Sequence, residues 1–398
     1  MALDKVIDSA QLDGALTATA DAIRIVKDSS DPIEWDADTG FADALSDISS
    51  GLPTQEKTIT ITENGTVEVL PDEGYALSKV TATTQVYDVV DDRFYSLVDG
   101  SMTELSDESI TKLRGYAFAY SEITHADLPN VTSVGAYAFY QADKLVSVNM
   151  PNVETLGNGT FACTQNGYAP MRISNLTSVN FPKITGIPEG CFKFCYNLSS
   201  ISVPNVVRIE EEAFRHSLRN MVVEFPKVTA LGSYAFKGCL AAEISLPKVE
   251  SISMSMFTDC TNLVYANLPV IATAPQNAFS KCVSLERADM RACSKIETNV
   301  FNTCTKFNLL VLGKTDKICT VSHISAFNST TFASGGTGGI CLVPRDLIES
   351  YQTATNWSTL YAAGTCLFWA LEDYTVDGTT TGEIDWDKLN TDREGAFA

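Results

Sequence analysis

Phe236-Lys-Gly-Cys239, followed by Glu243-Ile-Ser-Leu-Pro247-Lys-Val249, is one copy of a pattern that the chain repeats. Working outward, the same phenylalanine recurs as Phe118, Phe139, Phe161, Phe192, Phe214, Phe257, Phe279 and Phe301. The step is 21 or 22 residues everywhere except one step of 31. Prolines keep the same step at Pro129, Pro151, Pro182, Pro204, Pro226, Pro247 and Pro269, with the same single long interval. Two residue types sharing one period and one insertion identify a repeat protein. A solenoid grows by stacking coils, so 398 residues need not imply several closed cores.

One coil shows how the period becomes structure. Leu198-Ser-Ser-Ile-Ser-Val-Pro204 reads as a short strand ended by proline. Alternation sends the residues one and three before each proline inward, such as Val203 and Ile201 or Leu246 and Ile244. The predicted fold is mostly β with short helices, a solenoid of about ten 21–22-residue coils preceded by a helical segment and a small β module. Strand spacing of about 4.8 Å makes such a stack roughly 45–50 Å long.

The remaining strand positions point outward and form a stripe two residues wide. It comprises His125, Asp127, Asn149, Asn180, Ser202, Glu224, Glu243, Ser245, Tyr265, Asn267, Arg287 and Asp289. Arg291 replaces the proline in the last of these coils. The stripe fits a recognition surface, which solenoid sheets often provide, and equally fits an ordinary solvated sheet. The long coil carries its extra residues around Tyr168, Met171 and Arg172, a candidate contact loop.

The flanks divide the rest. Residues 1–54 carry an apolar face of Leu12, Leu16, Ile23 and Val26 at helical spacing. With 11 acids and three bases the segment has a charge of 3 − 11 = −8, and its face is too small to fold alone. It is expected to attach the chain to a sister copy or another protein. Residues 55–88 read as a β connector, with Asn64-Gly65 as a hairpin signal between Thr58–Thr62 and Thr66–Val69. Residues 89–370 hold the solenoid and its caps, and residues 89–116 lead in without the full repeat. Trp357 and Tyr361 are expected to cover the core end. Residues 371–398 read as an acidic extended tail or docking strand anchored by Trp386.

Composition excludes several functions. A formal charge of −21 repels phosphate backbones and anionic lipid, so nucleic acid is not an expected partner. No stretch reaches the roughly 20 apolar residues of a membrane span, and no signal peptide is visible at Met1-Ala-Leu-Asp-Lys-Val. Cys195, Cys239, Cys260, Cys282 and Cys304 each follow a repeat phenylalanine by three. Ser121, Ala142, Thr164 and Ser217 fill the same slot, so it selects small size and not sulfur chemistry. The three histidines, His125, His216 and His323, lie several coils apart. They cannot share a metal or form a triad. No catalytic, cofactor-binding or metal-ligating set is predicted, and the chain is read as non-enzymatic.

The coil pattern resembles the BspA-like (Treponema-type) leucine-rich repeats. Ala235-Phe-Lys-Gly-Cys239, Leu198-Ser-Ser-Ile-Ser-Val-Pro204 and Val228-Thr-Ala-Leu-Gly232 carry the likeness. Val343–Tyr351 with Ala354–Ser358 is similar to the usual ending of such repeat arrays, and the N-terminal flank resembles Firmicutes phage and prophage structural proteins at Ala20-Asp-Ala-Ile-Arg24, Phe41–Ile48, Lys57–Gly65 and Ala76–Val80. That resemblance implies a virion protein, either a tail fibre or baseplate receptor-binding protein or a head fibre or capsid decoration. Its partners would be other virion proteins and a host-surface glycan or protein, and it would be a homo-oligomer, a trimer being one arrangement. A bacterial cell-surface adhesin is the further alternative.

Overall fold

The computed structural model describes the backbone of residues 54–61 and 76–84, and residues 103–163, 174–333, 335–394 and 396 in full. The attachment face of Leu12, Leu16, Ile23 and Val26 lies outside the described residues, as do the Asn64-Gly65 hairpin and the Tyr168, Met171 and Arg172 loop. β1 (Thr54–Ile61) and β2 (Ala76–Thr84) pair in parallel.

The solenoid is a stack of parallel strands. Its front ladder comprises β3 (Glu104–Ser106), β4 (His125–Asp127), β5 (Ser147–Asn149), β6 (Ser178–Asn180) and β7 (Ser200–Ser202). A second run comprises β8 (Val222–Glu224), β9 (Glu243–Ser245), β10 (Tyr265–Asn267), β11 (Arg287–Asp289), β12 (Leu309–Val311), β13 (Gly339–Val343) and β14 (Cys366–Ala370). Two-residue strands, such as Arg208–Ile209 between Gly186–Ile187 and Ala230–Leu231, make shorter ladders along one side. Strand centres Leu105, Ala126, Val179, Val223, Ile244, Ala266, Ala288 and Leu310 point into the core, as alternation requires.

The repeat phenylalanines form one spine. Ten rings from Phe118 to Phe327 stack coil on coil, with centroids 5.1–5.7 Å apart and interplanar angles of 26° or less. The offset follows from the step between coils, which keeps rings beyond van der Waals contact spacing for a full face overlap. Buried thiols accept this geometry by donating to the carbonyl of a phenylalanine in a preceding coil. Cys260 reaches Phe236 O at 3.1 Å, Cys282 reaches Phe257 O at 3.0 Å and Cys304 reaches Phe279 O at 2.9 Å. None of the eleven cysteines forms a disulfide and all are buried, as the small-residue reading expects. Burial pushes the thiols of Cys195, Cys260 and Cys282 well above the ordinary range.

Eight of the ten spine phenylalanines are flanked by left-handed residues on both sides, whereas Phe161 and Phe327 have one on a single side, at Gly159 and Ser329. Positive φ occurs two before and two after the phenylalanine at Tyr116 and Tyr120, Tyr137 and Gln141, Glu212 and His216, Ser255 and Asp259, Asn277 and Lys281, and Asn299 and Thr303. Glycine takes the slot at Gly190 and Gly238. These paired reversals turn the back of the coil sharply around the ring. The back ladder fixes them, with Phe192 N donating to Ala213 O at 2.9 Å and Phe214 N to Ala235 O at 2.8 Å.

Three expectations change. Residues 103–116 are not a degenerate lead-in: β3 and Lys112–Leu113 form a complete coil with Phe118. Leu105 and Ile110 fill the inward slots there. The core end is closed by α1 (Ile348–Thr353), α2 (Trp357–Ala362) and β14. Trp357 is buried against Phe327 and Phe368, and its Nε1 donates to Cys319 O at 2.7 Å, whereas Tyr361 is 41% exposed. The C-terminal segment is not an extended tail. After β14 it turns through residues 371–374, bridges Thr375 to Ile384, and ends in α3 (Trp386–Arg393), whose N-terminus Asp385 caps by accepting from Lys388 N.

Candidate functional site

The front sheet carries outward side chains that repeat in register within each of its two runs, β3–β7 and β8–β14. Its neighbours pair residue for residue: His125 beside Ser147, Asp127 beside Asn149, Ser200 beside Ser178 and Ser202 beside Asn180. The same holds for Glu243 beside Tyr265 and Arg287, and for Ser245 beside Asn267 and Asp289. Period-two alternation therefore brings the predicted stripe together on one face.

The stripe divides into two parts. From β3 to β8 it is open: His125, Asp127, Asn149, Asn180, Ser202 and Glu224 are exposed. Short polar side chains cross-link along it. Asn149 Nδ2 donates to Asp127 Oδ1 at 2.6 Å, and Ser106 Oγ to Asp127 Oδ2 at 3.2 Å. His125 stands 3.8 Å from Glu104. Such a surface presents donors and acceptors held by a stiff sheet, with few long side chains to order on binding.

From β9 onward the face is progressively covered. Glu243, Ser245, Tyr265, Asn267 and Arg287 are half-buried, and Asp289 is only 2% exposed. Asp289 is thus corrected from an open recognition residue to a buried one. The cover is the chain's own C-terminal segment. Leu371, Ile384 and Leu389 pack on Leu309, Val311, Ile340 and Leu342, the outward positions of β12 and β13, as a second apolar core. Trp386 meets Tyr265 edge-on at 5.5 Å, and the Arg287 guanidinium lies 4.7 Å from the Trp386 ring and 5.1 Å from that of Tyr265. Arg291, where the repeat proline is missing, pairs with Asp289 and donates to Gly382 O. Arg393 Nη2 donates to Asn308 Oδ1 at 2.6 Å.

Among the described residues, the groups best suited to chemistry stand apart. The three histidines have separate local roles: His125 lies on the front face, His216 stacks on Phe194 at 5.2 Å on the back, and His323 accepts from Ser325 N at 3.1 Å as a helix cap. Glu224 and Glu243 are offset diagonally across neighbouring strands, and Glu243 faces Arg287 at 4.0 Å. No group of three or more His, Cys, Asp or Glu that suits a metal occurs among the described residues. None of the described helices is long and apolar enough to cross a membrane.

The family model of the BspA type leucine rich repeat region, a unit of six copies, matches residues 73–166, 185–308 and 229–334, together more than half of the chain. The chain belongs to this family. The BspA-type match takes in the whole phenylalanine spine, the side ladders and the front strands β3–β5 and β7–β12, and so accounts for the coil architecture. No curated protein matches the sequence. Among solved structures, this BspA-type chain is similar to a leucine-rich repeat protein from Bacteroides ovatus, at 20% identity over 67% of this chain and 70% of that one, with a TM-score of 0.46. A leucine rich cell surface protein from Faecalibacterium prausnitzii shares 21% identity over 57% and 80%, with a TM-score of 0.26. The pneumococcal vaccine antigen PcpA shares 14% identity over 75% and 74%, with a TM-score of 0.33.

The covered end of the stripe was signalled in the sequence. Leu309-Leu-Val-Leu312 and Ile340-Cys-Leu-Val343 are apolar without alternation. Parallel strands read that way when both faces are buried.

Proposed function

We propose that this BspA-type protein is a non-enzymatic attachment protein whose open front face, from β3 to β8, binds a glycan or protein on a bacterial surface. The observation that carries the reading is the contrast along one sheet. The C-terminal coils bury their outward residues under α3 and the segment before it, whereas the N-terminal coils leave a polar, hydrogen-bonding face open. Serine, asparagine and aspartate at fixed spacing suit the hydroxyls of a polysaccharide. A printed array of bacterial cell-surface polysaccharides, probed with the purified chain, tests this: saturable binding to a defined subset supports it, and absence of binding to every glycan and to intact cells removes it.

The carrier is the finer part of the proposal. The resemblance of residues 20–24, 41–48 and 57–65 to phage structural proteins supports a virion, with residues 1–54 fastening the solenoid to a tail fibre or baseplate. Family membership favours a second reading, a bacterial surface adhesin. Cryo-electron microscopy of particles and cells from the source culture separates them. Solenoid density at the tail tip supports the first, density on the capsid moves the protein to a head fibre, and labelling confined to the cell envelope supports the adhesin.

A further inference from the structure

A cleft of about 670 Å³ opens beside the front face, at the N-terminal ends of β6, β7 and β8. Asn175, Thr177, Asn197, Ser199, Arg219 and Asn220 supply its polar lining, and none of its lining residues is acidic. In a chain of formal charge −21 that is a local exception. Thr177 and Ser199 directly precede Ser178 and Ser200, the first residues of β6 and β7, so the cleft is continuous with the open part of the stripe.

A break in the repeat puts Arg219 there. Six residues after the spine phenylalanine, other coils place a buried leucine, as at Leu145, Leu198 and Leu263. In the coil of Phe214 the buried leucine is Leu218, two residues early, and Arg219 and Asn220 are both exposed. Leu218 and Asn220 adopt positive φ, at 65° and 51°, which no other described coil shows at these places. The backbone is nevertheless fixed: Arg219 N donates to Leu198 O at 2.7 Å, and Asn220 N to Leu240 O at 2.8 Å. The altered turn therefore presents the Arg219 side chain to the cleft from a held position.

The guanidinium is oriented but not neutralised. Arg219 Nη1 donates to Asn197 Oδ1 at 2.9 Å, and Asn197 Nδ2 is itself anchored on Ser174 O at 2.9 Å. Arg208, Arg215, Arg287, Arg291 and Arg345 each have a carboxylate within 4.0 Å. Arg219 has none within that distance among the described residues. A guanidinium is a planar fork of donors that matches an oxyanion, and most of this fork is unused. The amides of Asn175 and Asn220 and the hydroxyls of Thr177 and Ser199 beside it suit the hydroxyls of a sugar ring.

We infer that this cleft holds an acidic sugar unit of the glycan bound by the front face, with Arg219 as the residue that selects the anion. The inference rests on the glycan reading of that face. The anion is a ring carboxylate or a phosphate ester, since the fork fits either. The chain's distant acids oppose the approach of an anion, but the Debye length of about 8 Å at physiological salt screens them and leaves a direct contact largely intact.

The test uses the full chain and bacterial polysaccharides that carry uronic acids or phosphate esters. Each is printed beside the same polymer after carboxyl reduction or phosphatase treatment. The acidic forms should bind at least tenfold more tightly than the neutralised forms, and the treatment that abolishes the difference identifies the anion. Arg219→Gln should weaken binding of the acidic form at least tenfold, leave binding of the neutralised form unchanged and keep the unfolding midpoint. Neutralising the glycan leaves the protein untouched, so that comparison decides the matter even if the variant is unstable. Equal binding of acidic and neutralised forms, or of Arg219→Gln and its parent, would overturn the cleft and leave the front face as the binding surface. Anion-dependent binding that survives Asn149→Ala/Asn180→Ala/Ser202→Ala would support the cleft and remove the face. Failure to bind any printed acidic polysaccharide would overturn the cleft, whatever neutral glycans bind.

Discussion

The carboxylate of Asp289 is buried in the front sheet and held by the Arg291 guanidinium, whose Nε lies 3.0 Å from Oδ2. Arg291 occupies the slot that proline holds in other coils, and it also donates to Gly382 O in the C-terminal segment. A departure from the repeat is thus the clasp that holds the C-terminal cover onto the sheet. Removing the guanidinium leaves a buried carboxylate unpaired, which costs about 3–5 kcal/mol in comparable sites. Arg291→Ala should therefore lower the unfolding midpoint and admit protease cleavage within residues 371–385. Asp289→Asn/Arg291→Ala should recover part of the loss. Urea titration with limited proteolysis checks both, and a single variant as stable as its parent would refute the clasp.

The phenylalanine spine supplies a second expectation. Phe236 is fully buried between Phe214 and Phe257, with centroids 5.6 and 5.7 Å away. Phe236→Ala should cost about 3–5 kcal/mol, since a rigid stack cannot collapse into the space. Phe236→Leu should cost less than half as much. Chemical denaturation separates the two, and equal costs would mean that stacking geometry, not volume, dominates.

The left-handed residues beside the spine give a prediction with the opposite sign. Thr303 is β-branched and sits at φ 65°. Glycine adopts that conformation without strain, so Thr303→Gly should stabilise the chain by about 0.5–1 kcal/mol despite its entropy cost. Gly238→Ala should destabilise it, because a Cβ there would collide with the His216 ring. Thermal unfolding of both variants is the check; destabilisation by Thr303→Gly would show that the hydroxyl or methyl matters more than backbone strain.

A pH dependence follows from His216. Burial, and next the neighbouring Arg215 guanidinium, hold its imidazole below the usual histidine range, although Asp259 and the Gly238 backbone act in the other direction. A depressed folded-state pKa means the contribution is complete above the unfolded value of about 6.5 and is lost as pH falls through the folded value. The melting temperature should decline from pH 7 towards pH 5, and less steeply in His216→Asn. Histidine NMR titration provides a direct reading: a His216 pKa at or above 6.5 would contradict the assignment.

Much of this architecture is written in residue periods. Phe118 to Phe301, the prolines and the inward Ile201 and Ile244 mark the coils because each repeats the same environment. The coil of β3 escaped because Glu108 stands where Pro129 stands in the next coil, while its buried Leu105 and Ile110 do repeat. The left-handed slots are obscured because tyrosine, glutamate, lysine and threonine occupy many of them under constraint from the back ladder, while Gly159, Gly190, Gly238, Asn277 and Asn299 hint at them. Burial of Asp289 depends on a segment about 90 residues away in sequence folding back, information that no local period carries.

Binding at the open front face is tested by comparing the two faces. Asn149→Ala/Asn180→Ala/Ser202→Ala removes polar groups from that face, and Lys237→Ala alters the back beside Tyr234. Binding of each to the array-positive polysaccharide, measured beside unfolding midpoints, should fall at least tenfold for the triple variant and stay unchanged for Lys237→Ala, with both folded. Undiminished binding by a folded triple variant would exclude the open front face as the binding surface.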